Sequence, residues 1–374
     1  MSSTAVGNAT QDRAVVLDGW DHVELWVGNA RQAGQFYASA LGFDVVAYAG
    51  PETGVTDRAS WVLEQGDIRF LVTGALHPDS EVAAHHRAHG DGVRSLGFTV
   101  ADAGAAYDAA LARGAVGSMG PRVDEDDRGK LARASIAAYG DTEHTFVERG
   151  AYSGAFAPGF TTDNLPTRPP GPPVGLRALD HVVANVELGR LDRWVDFYAT
   201  VFGFDRLVHF GDEQISTEYS ALMSTVVWDG SKIKLPINEP APGRGKSQIE
   251  EYLDYYGCPG VQHMALSTAD ILATVTALRE RGLRFLRVPG AYYEEARERM
   301  AGVDLPWDDL TRLNILVDRD EDGYLLQVFA EMIGDRPTVF LEIIQREGAT
   351  GFGAGNFKAL FEAIEREQAK RGNL

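Results

Sequence analysis

The chain repeats itself, and two copies of one pattern must fold into two copies of one structure. In the first half, Trp20-Asp21-His22-Val23 opens a strand pattern, Phe36-Tyr37 falls in a helix pattern, and Leu41-Gly42-Phe43 follows. In the second half, Leu179-Asp180-His181-Val182, Phe197-Tyr198 and Phe202-Gly203-Phe204 come in the same order. Gly92-Val93-Arg94-Ser95-Leu96 answers to Gly260-Val261-Gln262-His263-Met264. The helices opening at Ala101-Asp102 and Ala269-Asp270 keep the same offset of 168, and both end in Arg-Gly. Gly140-Asp141 ahead of Phe146-Val147-Glu148, and Gly334-Asp335 ahead of Phe340-Leu341-Glu342, close the two copies. Each half reads strand, helix, several strands, twice over, with too many β segments for a doubly wound sheet. The expectation is an α+β fold built from tandem paired βαβββ modules.

Between the copies, Ala157 to Leu179 carries Pro158, Pro166, Pro169, Pro170, Pro172 and Pro173, a composition that resists helix and central strand. The predicted division is an N-terminal domain over 1–157, a linker over 158–178 and a C-terminal domain over 179–374. At the far end, Phe357, Leu360, Phe361 and Ile364 recur at helical spacing, so Asn356 to Arg371 is predicted to be an amphipathic helix. Gly351-Phe352-Gly353-Ala354-Gly355 precedes it as a flexible hinge.

A formal charge of -19 disfavours nucleic acid as a partner, because a polyphosphate needs a basic stripe to displace its counterions. The single cysteine, Cys258, has no intramolecular disulfide partner and reads as a turn residue in Gly-Cys-Pro-Gly. No apolar run approaches the roughly 20 residues of a membrane span. The stretch from Met1 to Arg13 is polar and does not read as a secretory signal. A cytoplasmic protein is expected, with neither nucleic acid nor membrane as partner.

Three residues stand out in the second copy. His181 lies in a strand pattern, His263 in the strand Val261 to Leu266, and Glu342 in the strand Val339 to Ile344. Taken singly, a strand histidine is ordinarily a hydrogen-bonded residue, and Glu342 would face solvent by alternation. Together they occupy equivalent ends of repeated modules, and two imidazoles with one carboxylate form a ligand set that leaves one face of a metal open. The first copy offers His22 and Glu148 in the same places but Ser95 where the middle histidine should be. It is read as a degenerate copy that buttresses the second.

Several strings resemble those of 4-hydroxyphenylpyruvate dioxygenases, within the vicinal-oxygen-chelate superfamily. They are Glu218-Tyr219-Ser220-Ala221-Leu222-Met223-Ser224, Leu235-Pro236-Ile237-Asn238-Glu239-Pro240, Lys246-Ser247-Gln248-Ile249, Gly260-Val261-Gln262-His263, Leu326-Gln327-Val328-Phe329, Gly334-Asp335-Arg336-Pro337-Thr338 and Gly355-Asn356-Phe357-Lys358. The resemblance covers nearly the whole second half. In the first half it is weaker, carried by Val27-Gly28-Asn29-Ala30 and His89-Gly90-Asp91-Gly92-Val93.

What it implies is two half-open barrels and one iron(II) per chain held by His181, His263 and Glu342. Ser224, Asn238, Gln248, Gln262 and Gln327 would be the polar, catalytic lining. Pro236, Phe329, Phe340, Phe352 and Phe357 would hold the substrate ring, and the last helix would close as a lid. The implied substrates are 4-hydroxyphenylpyruvate and dioxygen. The implied reaction is oxidative decarboxylation and ring hydroxylation with side-chain migration, giving homogentisate and carbon dioxide, in a homo-oligomer serving tyrosine and phenylalanine catabolism. Ala354 and Ala330-Glu331-Met332 depart from the family pattern, away from the implied ligands. The rivals are 4-hydroxymandelate synthase, whose pattern lacks the equivalents of Pro236 and Asn238 and has a smaller residue at Phe357, an extradiol ring-cleaving dioxygenase, and a metal-free binding protein of the same fold.

Overall fold

The structure, a computed structural model, describes residues 15–167, 173–211 and 221–373. Met1 to Arg13, Pro169, Pro170, Pro172 and Glu218-Tyr219-Ser220 lie outside the described residues. The first half runs β1 (Gly19–Val27), α1 (Ala30–Leu41), β2 (Asp44–Ala49), β3 (Arg58–Gln65), β4 (Ile68–Ala75), α2 (Glu81–His89), β5 (Gly92–Thr99), α3 (Ala103–Ala112), β6 (Gly117–Asp126), β7 (Gly129–Ala137) and β8 (Glu143–Glu148). The second runs β9 (Leu176–Asn185), α4 (Leu191–Phe197), β10 (Asp205–Phe210), β11 (Ala221–Trp228), β12 (Lys234–Ala241), α5 (Gln248–Tyr256), β13 (Gly260–Thr268) and α6 (Ile271–Glu280). It continues through α7 (Gly290–Arg299), α8 (Trp307–Leu313), β14 (Leu316–Arg319), β15 (Tyr324–Phe329), β16 (Phe340–Glu347) and α9 (Phe357–Arg371). The repeat is therefore structural. What it does not foretell is the pair α7 and α8, which the second half inserts before β14 and the first half lacks.

Local chemistry sets the helix ends. Asn29, Asp102 and Asp270 each accept a hydrogen bond from a backbone N–H in the first turn of the helix they precede, satisfying a donor that the helix cannot. Gly42 and Gly203 end the Phe-Tyr helices in the left-handed conformation, at φ 79° and 66°.

Each half forms one eight-stranded sheet, ordered β2-β3-β4-β1-β5-β8-β7-β6 and β10-β11-β12-β9-β13-β16-β15-β14, the half-barrels expected. In each, two βαβββ modules join along an antiparallel central pair, β1 with β5 and β9 with β13. Strands such as β13 are buried along almost their whole length, so they read as apolar runs with polar residues only where a site needs them.

One hydrophobic core spans both halves. At the junction, the His144 ring Nε2 is hydrogen-bonded to the Tyr198 hydroxyl at 2.7 Å, while the His144 ring also meets Phe98 and Phe202. Between the halves, Phe156 and Ala157 are buried in the first sheet and Thr161 bridges to Tyr48. The segment after β8 thus packs on the first half before the chain enters β9.

Burial pushes the His144 imidazole down from 6.5 to about 3. A folded pKa below the unfolded one gives stability that is present above pH 6.5 and lost as the pH falls towards 3. Urea denaturation at pH 7 and pH 5 should therefore show the wild type losing about 2 kcal/mol more than His144→Gln over that interval. Equal losses in the two proteins would mean that the ring is not kept neutral by the fold.

Candidate metal centre

Strand register brings the three ligand candidates together. His181 on β9 stands opposite Ala265 on β13, and Ala265 stands opposite Glu342 on β16. His263 lies two positions before Ala265, on the same face of β13. A methyl group between a histidine and a glutamate leaves room for both to bend towards one point. His181 Nε2 is 3.3 Å and His263 Nε2 3.5 Å from the same Glu342 oxygen, Oε2, and all three side chains are buried.

The other ring nitrogens fix the tautomers. His181 Nδ1 lies 2.7 Å from Asp180 Oδ1, and His263 Nδ1 lies 3.2 Å from the Gln262 amide oxygen. Both partners accept, so both Nδ1 atoms carry the proton and both Nε2 lone pairs point at a carboxylate. Asp180 is held in turn by a two-pronged ion pair with Arg346, at 2.8 Å from Nε and from NH2. Burial opposes ionisation of Asp180, yet the bonds from Arg346 and His181 hold its carboxyl well below the usual range. Burial likewise pushes Glu342 up, and the two imidazoles outweigh it and bring it down. His181 is raised, since Glu342 and Asp180 overcome its burial, whereas burial wins at His263 and lowers it.

Glu342 Oε1 is buried and has no hydrogen-bond partner among the described residues. Two lone pairs and an anion facing one another, with a buried oxygen unsatisfied, lack only a cation. The donor set of two imidazoles and one carboxylate is that of a divalent transition metal with open positions on its far side.

That far side opens into a pocket walled mostly by apolar side chains with a few convergent polar groups. Ser224, Asn238, Gln248, Gln262 and Gln327 all line it, as do Pro236, Phe329, Phe352 and Phe357. Ser224 and Asn238 are opposite neighbours on β11 and β12, and Gln248 opens α5 behind the cap of Ser247. Phe340 is placed differently: it stacks on the His263 ring at 4.6 Å and does not line the cavity. Sequence reading passed over the rest of the apolar wall, Val183, Phe210, Leu222, Val226, Ile344, Leu360 and Phe361, because nothing separates such residues from ordinary core. It also passed over Asn356, fully buried, whose amide donates to Gln327 Oε1 at 3.3 Å and accepts from the Tyr292 hydroxyl at 2.5 Å.

The first half corrects one expectation. Gly97, the counterpart of Ala265, stands opposite His22 and Thr145, so the residue equivalent to Glu342 is Thr145 and not Glu148. Glu148 instead caps α3 by accepting from the Ala103 N–H, as Gln345 does for Ile271. The turn before β16 is longer than the one before β8, and the Phe-x-Glu spacing matched across that difference by coincidence. The first half has thus replaced two ligands, and Ser95, Thr145 and Ser135 form a hydroxyl chain with links of 2.7 and 2.9 Å. The surroundings survive: His22 bonds Asp21, Asp21 pairs with Arg149, and Phe156 meets the His22 ring at 5.2 Å, as Phe352 meets His181 at 5.1 Å.

The profile of the Glyoxalase/Bleomycin resistance protein/Dioxygenase superfamily matches residues 19–146 and 178–328. Fold and ligand geometry therefore define a metalloenzyme of the vicinal-oxygen-chelate type. Over 95% of its length the chain is 47% identical to the 4-hydroxyphenylpyruvate dioxygenase of Yarrowia lipolytica, covering 93% of that protein. It is likewise 47% identical to the enzymes of that name from Dictyostelium discoideum, over 96% of this chain and 100% of that one, and from Caenorhabditis elegans, over 95% and 93%. Among solved structures, a mutant of 4-hydroxymandelate synthase from Streptomyces coelicolor superposes with a TM-score of 0.82 at 35% identity, over 94% of this chain and 99% of that one. The chain belongs to the 4-hydroxyphenylpyruvate dioxygenase family.

Replacing His181, His263 or Glu342 by alanine should remove the metal held between these three side chains, measured as the loss of one metal per folded chain after desalting. Ala265→Leu, which touches no donor atom, should weaken retention roughly tenfold or more by forcing His181 and Glu342 apart. His22→Ala should leave the metal content unchanged, and a fall there would restore the first half as a working site.

Proposed function

We propose that this chain is an iron(II)-dependent 4-hydroxyphenylpyruvate dioxygenase that forms homogentisate and carbon dioxide. The observation that carries the reading is the pairing of an open-faced, cation-deficient ligand triad with an aromatic cavity whose remaining polar groups are amides and one hydroxyl. When bound, iron(II) supplies chelation of the 2-oxo acid group and activation of dioxygen, so no separate 2-oxoglutarate is required.

The protein's own groups do the rest. Asp180 and Gln262 keep both ligand imidazoles in the metal-binding tautomer. Phe329, Phe352 and Phe357 offer a flat apolar slot for the ring. Gln248, Gln262, Asn238, Ser224 and Gln327 are neutral hydrogen-bonding groups that hold a phenol without ionising it, and Asn356 positions Gln327. The last helix excludes water, since Phe357, Leu360 and Phe361 all face the cavity.

The first half serves as a structural domain, with no metal at the row of His22, Ser95 and Thr145 that corresponds to the triad. The lone thiol suits a reducing compartment and so a cytoplasmic location, and a homo-oligomer is the expected assembly. No helix among the described residues is long and apolar enough to cross a membrane.

The likeness to 4-hydroxymandelate synthase makes benzylic oxidation of the same substrate the second reading. Pro236, Asn238 and Phe357 favour ring hydroxylation, being the positions where the synthase pattern differs. Anaerobic loading with iron(II), then 4-hydroxyphenylpyruvate and oxygen, should yield homogentisate by mass spectrometry. Hydroxymandelate as the main product would transfer the chain to the rival. Truncation before Asn356 should leave iron bound but uncouple oxygen consumption from homogentisate formation. Coupled turnover at full rate would show that the helix is packing and not a lid.

A further inference from the structure

A second group of metal-ligating side chains sits at the junction of the two halves, built from residues that the dioxygenase chemistry does not use. His85 and His89 are one helical turn apart on α2, and that spacing puts both rings on one face of the helix. Asp141, in the turn between β7 and β8, reaches up to them: its Oδ2 is 2.6 Å from His85 Nδ1 and 3.3 Å from His89 Nε2.

The hydrogen bonds leave this group short of a cation. His89 Nδ1 lies 2.5 Å from the Tyr256 carbonyl oxygen, which can only accept, so Nδ1 carries the proton and Nε2 presents its lone pair to the Asp141 carboxylate. A ligand histidine characteristically donates its second nitrogen to a carbonyl in this way. One further atom is left over: Asp141 Oδ1 is buried without a hydrogen-bond partner among the described residues, beside a His85 side chain that is only 2% exposed. Burial opposes ionisation of Asp141, but His85 and His89 hold its carboxyl below the usual range, so it is an anion at neutral pH. Arg94, whose charge also lowers Asp141, bonds the Asp141 main-chain carbonyl and, at 2.7 Å, Glu143 rather than the Asp141 carboxylate.

We propose that His85, His89 and Asp141 form a second divalent-metal site of the zinc(II) class, with water in the remaining positions, that braces the junction between the halves. Donor atoms around a tetrahedral zinc at about 2.0–2.2 Å stand roughly 3.3 Å apart. His89 and Asp141 already have that spacing, and the His85–Asp141 pair opens by less than about 1 Å as the His85 proton shifts from Nδ1 to Nε2. The ion would tie α2 to the turn at Gly140, and both abut the second half. Gly140 is held at φ +61°, where a β-carbon would strike Pro259 and Cys258, and His89 holds the end of α5 through Tyr256. Cys258 Sγ approaches the proton-bearing side of His89, at 3.8 Å from Nδ1, and its thiol is pushed up to about 11 by burial; it is a neighbour and not a ligand.

The test uses the full chain with the catalytic triad disabled, His181→Ala with Glu342→Ala, and zinc(II) as the probe. Equilibrium dialysis with metal analysis should find one zinc per chain in that background and none when His85→Gln and His89→Gln are added. Zinc should also raise the Tm of the first protein and leave that of the second unchanged. No bound zinc in the triad-disabled chain, or equal zinc with and without the two glutamines, would overturn the site. If the multiply substituted chain does not fold, crystals of the wild type soaked in zinc decide. An anomalous peak bounded by His85, His89 and Asp141 is expected there, and a peak confined to His181, His263 and Glu342 would refute the proposal.

Discussion

The antiparallel pairing of β9 with β13 is the constraint on which the rest depends, because register alone turns three distant residues into one site. It sets His181 opposite Ala265, and the parallel pairing of β13 with β16 then sets Ala265 opposite Glu342. A slip of one residue would turn a ligand to the other face of the sheet. The metal centre is therefore a property of the sheet as a whole, specified by every apolar side chain that fixes that register.

Around this row the polar groups are arranged in layers of decreasing burial. The two imidazoles are oriented by Asp180 and Gln262, and Asp180 is oriented by Arg346. Arg346 also donates to the Gly351 carbonyl at 2.6 Å, in the loop that leads to α9. One guanidinium thus links the orientation of a ligand to the position of the segment that covers the cavity. Such buried charges contribute little net stability when paired, and removing one partner costs several kcal/mol, so the chain is committed to keeping the set complete.

Much of this was legible in the sequence. The strand-helix repeats, the helix starts at Ala101-Asp102 and Ala269-Asp270, and the amphipathic stripe of α9 are local signals, and local signals survive in one dimension. Glu148 shows where they fail. Its spacing from Phe146 imitates that of Glu342 from Phe340, yet the strand begins nearer to its preceding glycine in the first half than in the second, and the two glutamates fall in different rows. Motif spacing does not see the length of a turn. Nor does it see α7 and α8, whose residue Tyr292 reaches Asn356 at the cavity edge, or the meeting of His85 and His89 with Asp141 across more than fifty positions of chain.

The first half keeps the aspartate, the oriented histidine, the arginine and the phenylalanine of the metal centre while holding two hydroxyls where the remaining ligands would stand. Such a half is a scaffold already shaped for coordination, and its outer supports are carrying out a packing task alone. In the language of protein engineering, the costly part of a new centre, a buried imidazole locked in one tautomer, is in place before any ligand is added. A designer would install a histidine at Ser95 and a carboxylate at Thr145 and open the apolar cluster in which Phe156 packs with Leu131, Val147 and Ala157. The same chain would then carry two centres whose outer supports match and whose cavities differ, which is the comparison needed to separate what a ligand shell does from what a pocket does.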